Sequence, residues 1–129
     1  MRVVFDSNIL ISALTLPGGR GEQAITRIIE GADSLFFSKQ ILDEVLLVLA
    51  RKFSRDREQL ARTAVFLSTL GDLVEPEESV ALLADEPDNR ILECALAGRA
   101  ECIVTGDRAM LALGEFRGIR IVTLSRYLE

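Results

Sequence analysis

Asp88-Asn89-Arg90-Ile91-Leu92-Glu93-Cys94-Ala95-Leu96-Ala97-Gly98, followed by Cys102-Ile103-Val104-Thr105-Gly106-Asp107, carries the reading of the fold. In the first part, Ile91, Leu92, Ala95 and Leu96 fall on one face of a helix turning about 100° per residue. Pro87 just before suits a helix start. Gly98 ends the period, and Cys102 to Val104 is the kind of apolar run that a strand buried on both faces shows. A helix leading into such a strand is half of a βαβ unit. Asp88 heads the apolar stripe and therefore points inward at the sheet edge, whereas Glu93 reads as lying on the opposite, solvent side. Asp107 closes the strand, with the Thr105 hydroxyl nearby.

The same alternation runs through the rest of the chain. Arg2 to Phe5 is a strand, Ser7 to Leu14 a short helix, and Pro17-Gly18-Gly19-Arg20-Gly21 a breaker before a helix from about Glu22 to Ile29. Ser34 to Phe37 reads as strand two, and Ser38 as the N-cap of a helix reaching about Phe53. Arg57 to Leu70 is helical, Leu73-Val74 a weak third strand, and the segment onward to Asp88 a strongly acidic loop. Arg108 to Leu113 is helical, Ile119 to Val122 is strand five, and Leu124 to Leu128 a terminal turn. There is no repeat or linker, so the 129 residues read as one α/β domain, 1–129.

Composition narrows the chemistry. Histidine is absent, which removes His general bases, Ser-His-Asp triads and His-ligated zinc. Cys94 and Cys102 are too few for a zinc cage or a disulfide framework, and their apolar settings suit buried thiols in a reducing cytosol. The longest apolar run, Val45 to Ala50, is far short of a membrane span, and Asp6 interrupts the N-terminus before a signal-peptide core develops. The expectation is a soluble, cytoplasmic protein. A net charge of −5 is unusual for a nucleic-acid enzyme. Two bound divalent cations would bring it to about −1.

Four acids stand where an open α/β sheet aims its side chains at one point: Asp6, Glu44, Asp88 and Asp107. Ligands in such sheets sit beyond the carboxyl ends of the strands, and Asp6 and Asp107 both follow strands. Each Asp also suits a helix cap, so any one of them alone has an ordinary structural reading. Ser7 suits capping of the next helix, and Asn8 suits orientation of Asp6. In the helix from Ile41, Glu44 borders the buried face set by Ile41, Leu42, Val45, Leu46, Val48 and Leu49, while Asp43 points further towards solvent. Crowded carboxylates repel one another unless a cation lies between them, and a hard ion such as Mg²⁺ or Mn²⁺ is the common solution.

Taken in order, Val4-Phe5-Asp6-Ser7-Asn8-Ile9-Leu10, Ser38-Lys39-Gln40-Ile41-Leu42-Asp43-Glu44-Val45, Asp88 to Ala95 and Ile103-Val104-Thr105-Gly106-Asp107 resemble the successive motifs of the PIN-domain family. More narrowly, the chain resembles the VapC-like toxins of prokaryotic toxin–antitoxin systems, over essentially its whole length. The resemblance implies a three-layer α/β/α domain with a central parallel five-stranded sheet in the order 3-2-1-4-5. It also implies a Mg²⁺- or Mn²⁺-dependent endoribonuclease acting on single-stranded RNA. Carried over, the metal-site acids are Asp6, Glu44, Asp88 and Asp107, supported by Asn8 and Thr105. A cognate antitoxin and a homodimer follow from the same resemblance.

With no histidine available, hydrolysis has to rely on metal-activated water, and Arg20, Arg90 and Arg108 are candidate phosphate contacts. An aspartyl-phosphate phosphotransferase with Asp6 as nucleophile is a second reading. Enzymes of the haloacid-dehalogenase type need an acid two residues on, where this chain has Asn8. A third reading is a non-catalytic RNA- or protein-binding module, which has no use for four converging charges.

Overall fold

The computed structural model describes residues 1–129. Strands β1 (Arg2–Phe5), β2 (Ser34–Ser38), β3 (Asp72–Val74), β4 (Cys102–Val104), β5 (Glu115–Phe116) and β6 (Ile119–Val122) form one sheet in the order β3-β2-β1-β4-β6-β5. The first five in that order are parallel, and they reproduce the expected 3-2-1-4-5 arrangement with β6 as the fifth strand. The apolar runs of β1, β2 and β4 are buried on both faces because helices cover both, whereas Leu73 of the edge strand β3 is exposed.

Helices α1 (Ser7–Thr15), α2 (Arg20–Ile29), α3 (Lys39–Lys52) and α4 (Arg57–Leu70) connect β1 to β2 to β3. Right-handed crossovers put these on one face and α5 (Glu86–Ala97) with α6 (Arg108–Leu113) on the other, because the chain reverses direction across the sheet after β3. The packing follows: α1 meets α2 and α3, α3 meets α4, and the terminal α7 (Leu124–Tyr127) meets α2, while α5 lies on β1 and β2. Thirty buried apolar residues form a single core cluster. The reversal makes the crevice between the carboxyl ends of β1 and β4 the switch point of the sheet.

Three details depart from the expectation. The edge strand β5 is an addition, antiparallel to β6 through a two-residue turn at Arg117-Gly118. Both turn residues have positive φ, 49° and 84°, as the tight hairpin requires; two residues are too few to carry a periodicity. Helix α2 starts at Arg20, inside the predicted breaker. Gly21 is there because α1 passes close by: a Cβ would stand 2.8 Å from the Ala13 nitrogen. The third departure is Glu93, which is buried instead of facing solvent. The acidic loop before α5 folds back over it, and Glu93 Oε2 accepts from the Val80 N–H at 2.8 Å.

Candidate functional site

Parallel pairing of β1 with β4 sets Phe5 opposite Val104, so the residues that follow them emerge side by side. The Asp6 N–H extends the ladder to the Val104 carbonyl at 2.9 Å. Asp6 Oδ2 then accepts from the Thr105 hydroxyl at 2.6 Å, and Asp6 Oδ1 accepts weakly from the Asn8 N–H at 3.4 Å. Asp6 is therefore both the N-cap of α1 and a carboxylate at the switch point. The Thr105 hydroxyl in turn accepts from the Asp107 N–H at 3.0 Å, and Asp107 Oδ1 caps α6 through the Met110 N–H at 2.9 Å. Capping and convergence turn out to be compatible, since each cap uses one oxygen: the second of Asp6 meets the Thr105 hydroxyl, and the second of Asp107 makes no hydrogen bond.

Glu44 and Asp43 separate as the helix face requires. Asp43 is exposed and pairs with Lys39 at 3.1 Å. Glu44 is half-buried, and its Oε2 accepts from the buried Ser7 hydroxyl at 2.7 Å. The capping expected of Ser7 falls to Asp6 instead. Ser7 orients a carboxylate, while Asn8 is exposed and contributes only its backbone N–H, because position two of a helix after Asp6 turns its side chain outward.

Asp88 is 6% exposed, and its Oδ2 has no hydrogen-bond partner. One oxygen from each of Asp85, Asp88 and Asp107 lies within 4.8 Å of the others. Burial pushes the Asp88 carboxyl up to about 7, and the charges of Asp107, Asp85 and Asp6 add to the shift. Asp6 is also raised: burial contributes most, the donors from Thr105 and Asn8 oppose it, and the charges of Glu44 and Asp107 reinforce it. These causes link all four expected acids in one electrostatic group. No cation of the protein stands among them. Asp85 was missed by sequence reading, although its spacing of three from Asp88 puts the two on one side of a helix start.

Of the candidate phosphate-binding arginines, Arg20 donates to Ser125, and Arg90 is held by Glu86, Glu93 and the Val80 carbonyl. Arg108, next to Asp107, is exposed and makes no side-chain hydrogen bond or ion pair. A groove of about 410 Å³ lined by Ile41, Glu44, Leu47, Pro87 and Arg90 opens beside Glu44. The larger depression, about 520 Å³, is walled by Glu75, Glu77, Glu78 and Glu93 and holds none of the four acids. No helix is long and apolar enough to cross a membrane.

A family profile described as "PIN domain" matches residues 2–109. An uncharacterized protein of Methanocaldococcus jannaschii is 27% identical over 117 residues, covering 88% of this chain and 75% of the relative. Among solved structures, VapBC2 from Rickettsia felis, bound to a DNA fragment from its promoter, superposes with a TM-score of 0.67. The match covers 95% of this chain and 98% of that one, at 14% identity, so the similarity is one of fold.

Proposed function

Because the chain belongs to the PIN-domain family, we propose that it is a metal-dependent ribonuclease that hydrolyses phosphodiesters of single-stranded RNA. The observation that carries this reading is the buried, partnerless Asp88 oxygen among the carboxylates of Asp85, Asp107 and Asp6. Such a group is costly in an empty crevice and favourable around a cation. The donor set is all oxygen, with no histidine in the chain and both cysteines in the core. It therefore suits Mg²⁺ or Mn²⁺ better than zinc or copper.

Asp6, Glu44, Asp88 and Asp107 would hold the ion, which when bound supplies Lewis acidity towards phosphate and a more acidic water. The remaining work belongs to the chain. The Thr105 hydroxyl fixes Asp6 through Oδ2, leaving Oδ1 with only the long contact to the Asn8 N–H, and the Ser7 hydroxyl fixes Glu44 through Oε2. Arg108, exposed and uncommitted, is placed to meet a backbone phosphate beside Asp107. The groove next to Glu44 offers room for a nucleotide flanking the cleaved bond. There is no Trp, and the single Tyr is buried at Tyr127. Backbone and shape therefore dominate recognition over base stacking.

The fold shared with a toxin–antitoxin protein supports a toxin role with a cognate antitoxin. Exposed Leu47, Phe53, Val65 and Phe66 on and beside α3 and α4 supply apolar surface for that partner or for a homodimer. The deciding experiment is cleavage of single-stranded RNA by the purified protein. Cleavage should need Mg²⁺ or Mn²⁺ and stop with EDTA. Persistence in the Asp6→Ala/Asp88→Ala double variant would sink the reading and favour a binding module.

A further inference from the structure

Asp85 occupies the N-cap position of α5, where an aspartate ordinarily accepts from a first-turn N–H. It makes no such bond. The Asp88 N–H, the natural partner, is taken by the Asp85 main-chain carbonyl at 3.1 Å. The Asp85 carboxylate instead lies within 4.8 Å of those of Asp88 and Asp107. The positive end of the α5 dipole explains acids at this helix start. It does not explain the approach of Asp107 from another element, nor the nine-tenths-buried Asp88 with its partnerless Oδ2 inside the group.

The position of Asp85 is built by the rest of the loop. Asn89 Oδ1 accepts from the N–H groups of Leu82 and Leu83, and its amide donates to the Leu83 carbonyl at 2.8 Å. Arg90 and Glu93 hold Val80 by its carbonyl and its N–H, at 3.1 and 2.8 Å, and Val80 is buried. Three side chains of α5 thus strap the segment from residue 80 to residue 83 onto their own helix. The strap ends two residues before Asp85. A carboxylate delivered this way meets two others at a set distance, with no compensating cation from the protein.

We propose that Asp85 is a fifth metal-holding carboxylate, closing with Asp88 and Asp107 a three-acid cation site on the α5 side of the crevice. A hard ion with oxygen distances of about 2.0–2.6 Å fits among oxygens no more than 4.8 Å apart. Asp6 and Glu44, held by Thr105 and Ser7, then face this site from the α1 side. The proposal rests on the metal-dependent reading above, and it adds to that reading a residue and a place.

Mn²⁺ binding, followed by the electron-paramagnetic signal of free Mn²⁺, tests it without reference to activity. Asp85→Asn should weaken binding at least about tenfold, as loss of even a supporting partner does at metal sites. Asp43→Asn, which removes an equally exposed nearby charge, should change it less than twofold, and Asp85→Glu should recover part of the loss. Asp85 makes no cap bond, so the metal-free Asp85→Asn protein should melt no lower than wild type. Binding by Asp85→Asn within twofold of wild type, with Asp88→Asn abolished, would overturn the fifth ligand and leave the nuclease reading standing. Absence of Mn²⁺ binding in wild type would overturn both.

Discussion

Two buried aspartates sit at opposite ends of the same sheet and are treated in opposite ways. Asp33 precedes β2 and is 7% exposed; Asp88 heads α5 and is 6% exposed. Asp33 receives the Tyr127 hydroxyl at 2.6 Å, and it pairs with the Met1 amine at 3.1 Å and with Arg27 at 3.4 Å. Burial alone would raise its carboxyl, yet the Tyr127 hydroxyl, the amine and Arg27 together draw it below the usual range. Asp88 has neighbours that are acids, and burial with those charges pushes it up to about 7. An acid that serves the fold is supplied with donors by the fold. One left short of them, in a crevice at the switch point of the sheet, is the acid on which the proposed metal site depends.

The sharpest break of this contrast is catalytic. Asp88→Asn should lower metal-dependent RNA cleavage at least about 100-fold, since even partners of metal ligands cost 10–100-fold. Asp33→Asn, assayed well below its melting temperature, should leave cleavage within about twofold. Equal losses in both would erase the distinction between a structural and a functional acid.

Stability of the metal-free protein should show opposite signs for the same chemical change. At pH 8, Asp33→Asn is expected to cost about 2 kcal/mol, because a buried carboxylate loses its charge beside a partly exposed amine and guanidinium while the Tyr127 hydroxyl keeps an acceptor. Asp88→Asn should stabilise by about 1–2 kcal/mol through relief of repulsion. Thermal melts in EDTA measure both, at roughly 2–8 °C per kcal/mol. A destabilised Asp88→Asn would mean that its carboxylate is already satisfied.

The pH dependence follows with the signs reversed. Asp88 rises from the ordinary 3.8 to about 7 in the folded state, so between those values the native protein binds more protons than the unfolded chain. Its contribution to stability is therefore present at low pH and fades as pH rises through 7, by at most about 4 kcal/mol. Asp33 is lowered, so its contribution holds above the ordinary carboxyl range and is lost as pH falls below it. Denaturant midpoints of the metal-free protein should fall from pH 5 to pH 8 in wild type and remain flatter in Asp88→Asn. Saturating Mg²⁺ should remove most of that slope.

The smallest effect sharpens the comparison at the edge of the site. Ser7→Ala frees Glu44 from its hydroxyl partner and should weaken Mn²⁺ binding about tenfold or less, while Asp43→Asn should not change it measurably. Titrations of both variants beside wild type decide whether Glu44 is held for the ion or merely borders the helix face.

Much of this was legible from local pattern. The apolar stripe of Ile91, Leu92 and Ala95 aimed Asp88 inward, and Asp88 is buried; the same angular argument separated Glu44 from Asp43. The strand endings placed Asp6 and Asp107 at one edge, and the PIN-like motif order supplied the strand order that sets them together. Glu93 shows where that reasoning stops. Its helical angle does face away from the apolar stripe, but water does not lie there, because Val80 and its loop fold over that side.

The chain by itself determined the alternation of strands and helices, the lack of any imidazole, and which acids head inward, since these depend on periods of two to four residues and on composition. Only the tertiary structure decided that Ser7 serves Glu44, that Asn89, Arg90 and Glu93 strap down a loop, and that Asp85 joins Asp88 and Asp107. Those outcomes depend on which segment returns to cover a polar face. Ser7 and Glu44 are 37 residues apart, and Thr105 meets Asp6 across 99. A periodicity gives the direction of a side chain from its own backbone; what it meets there is set by packing between elements distant in sequence.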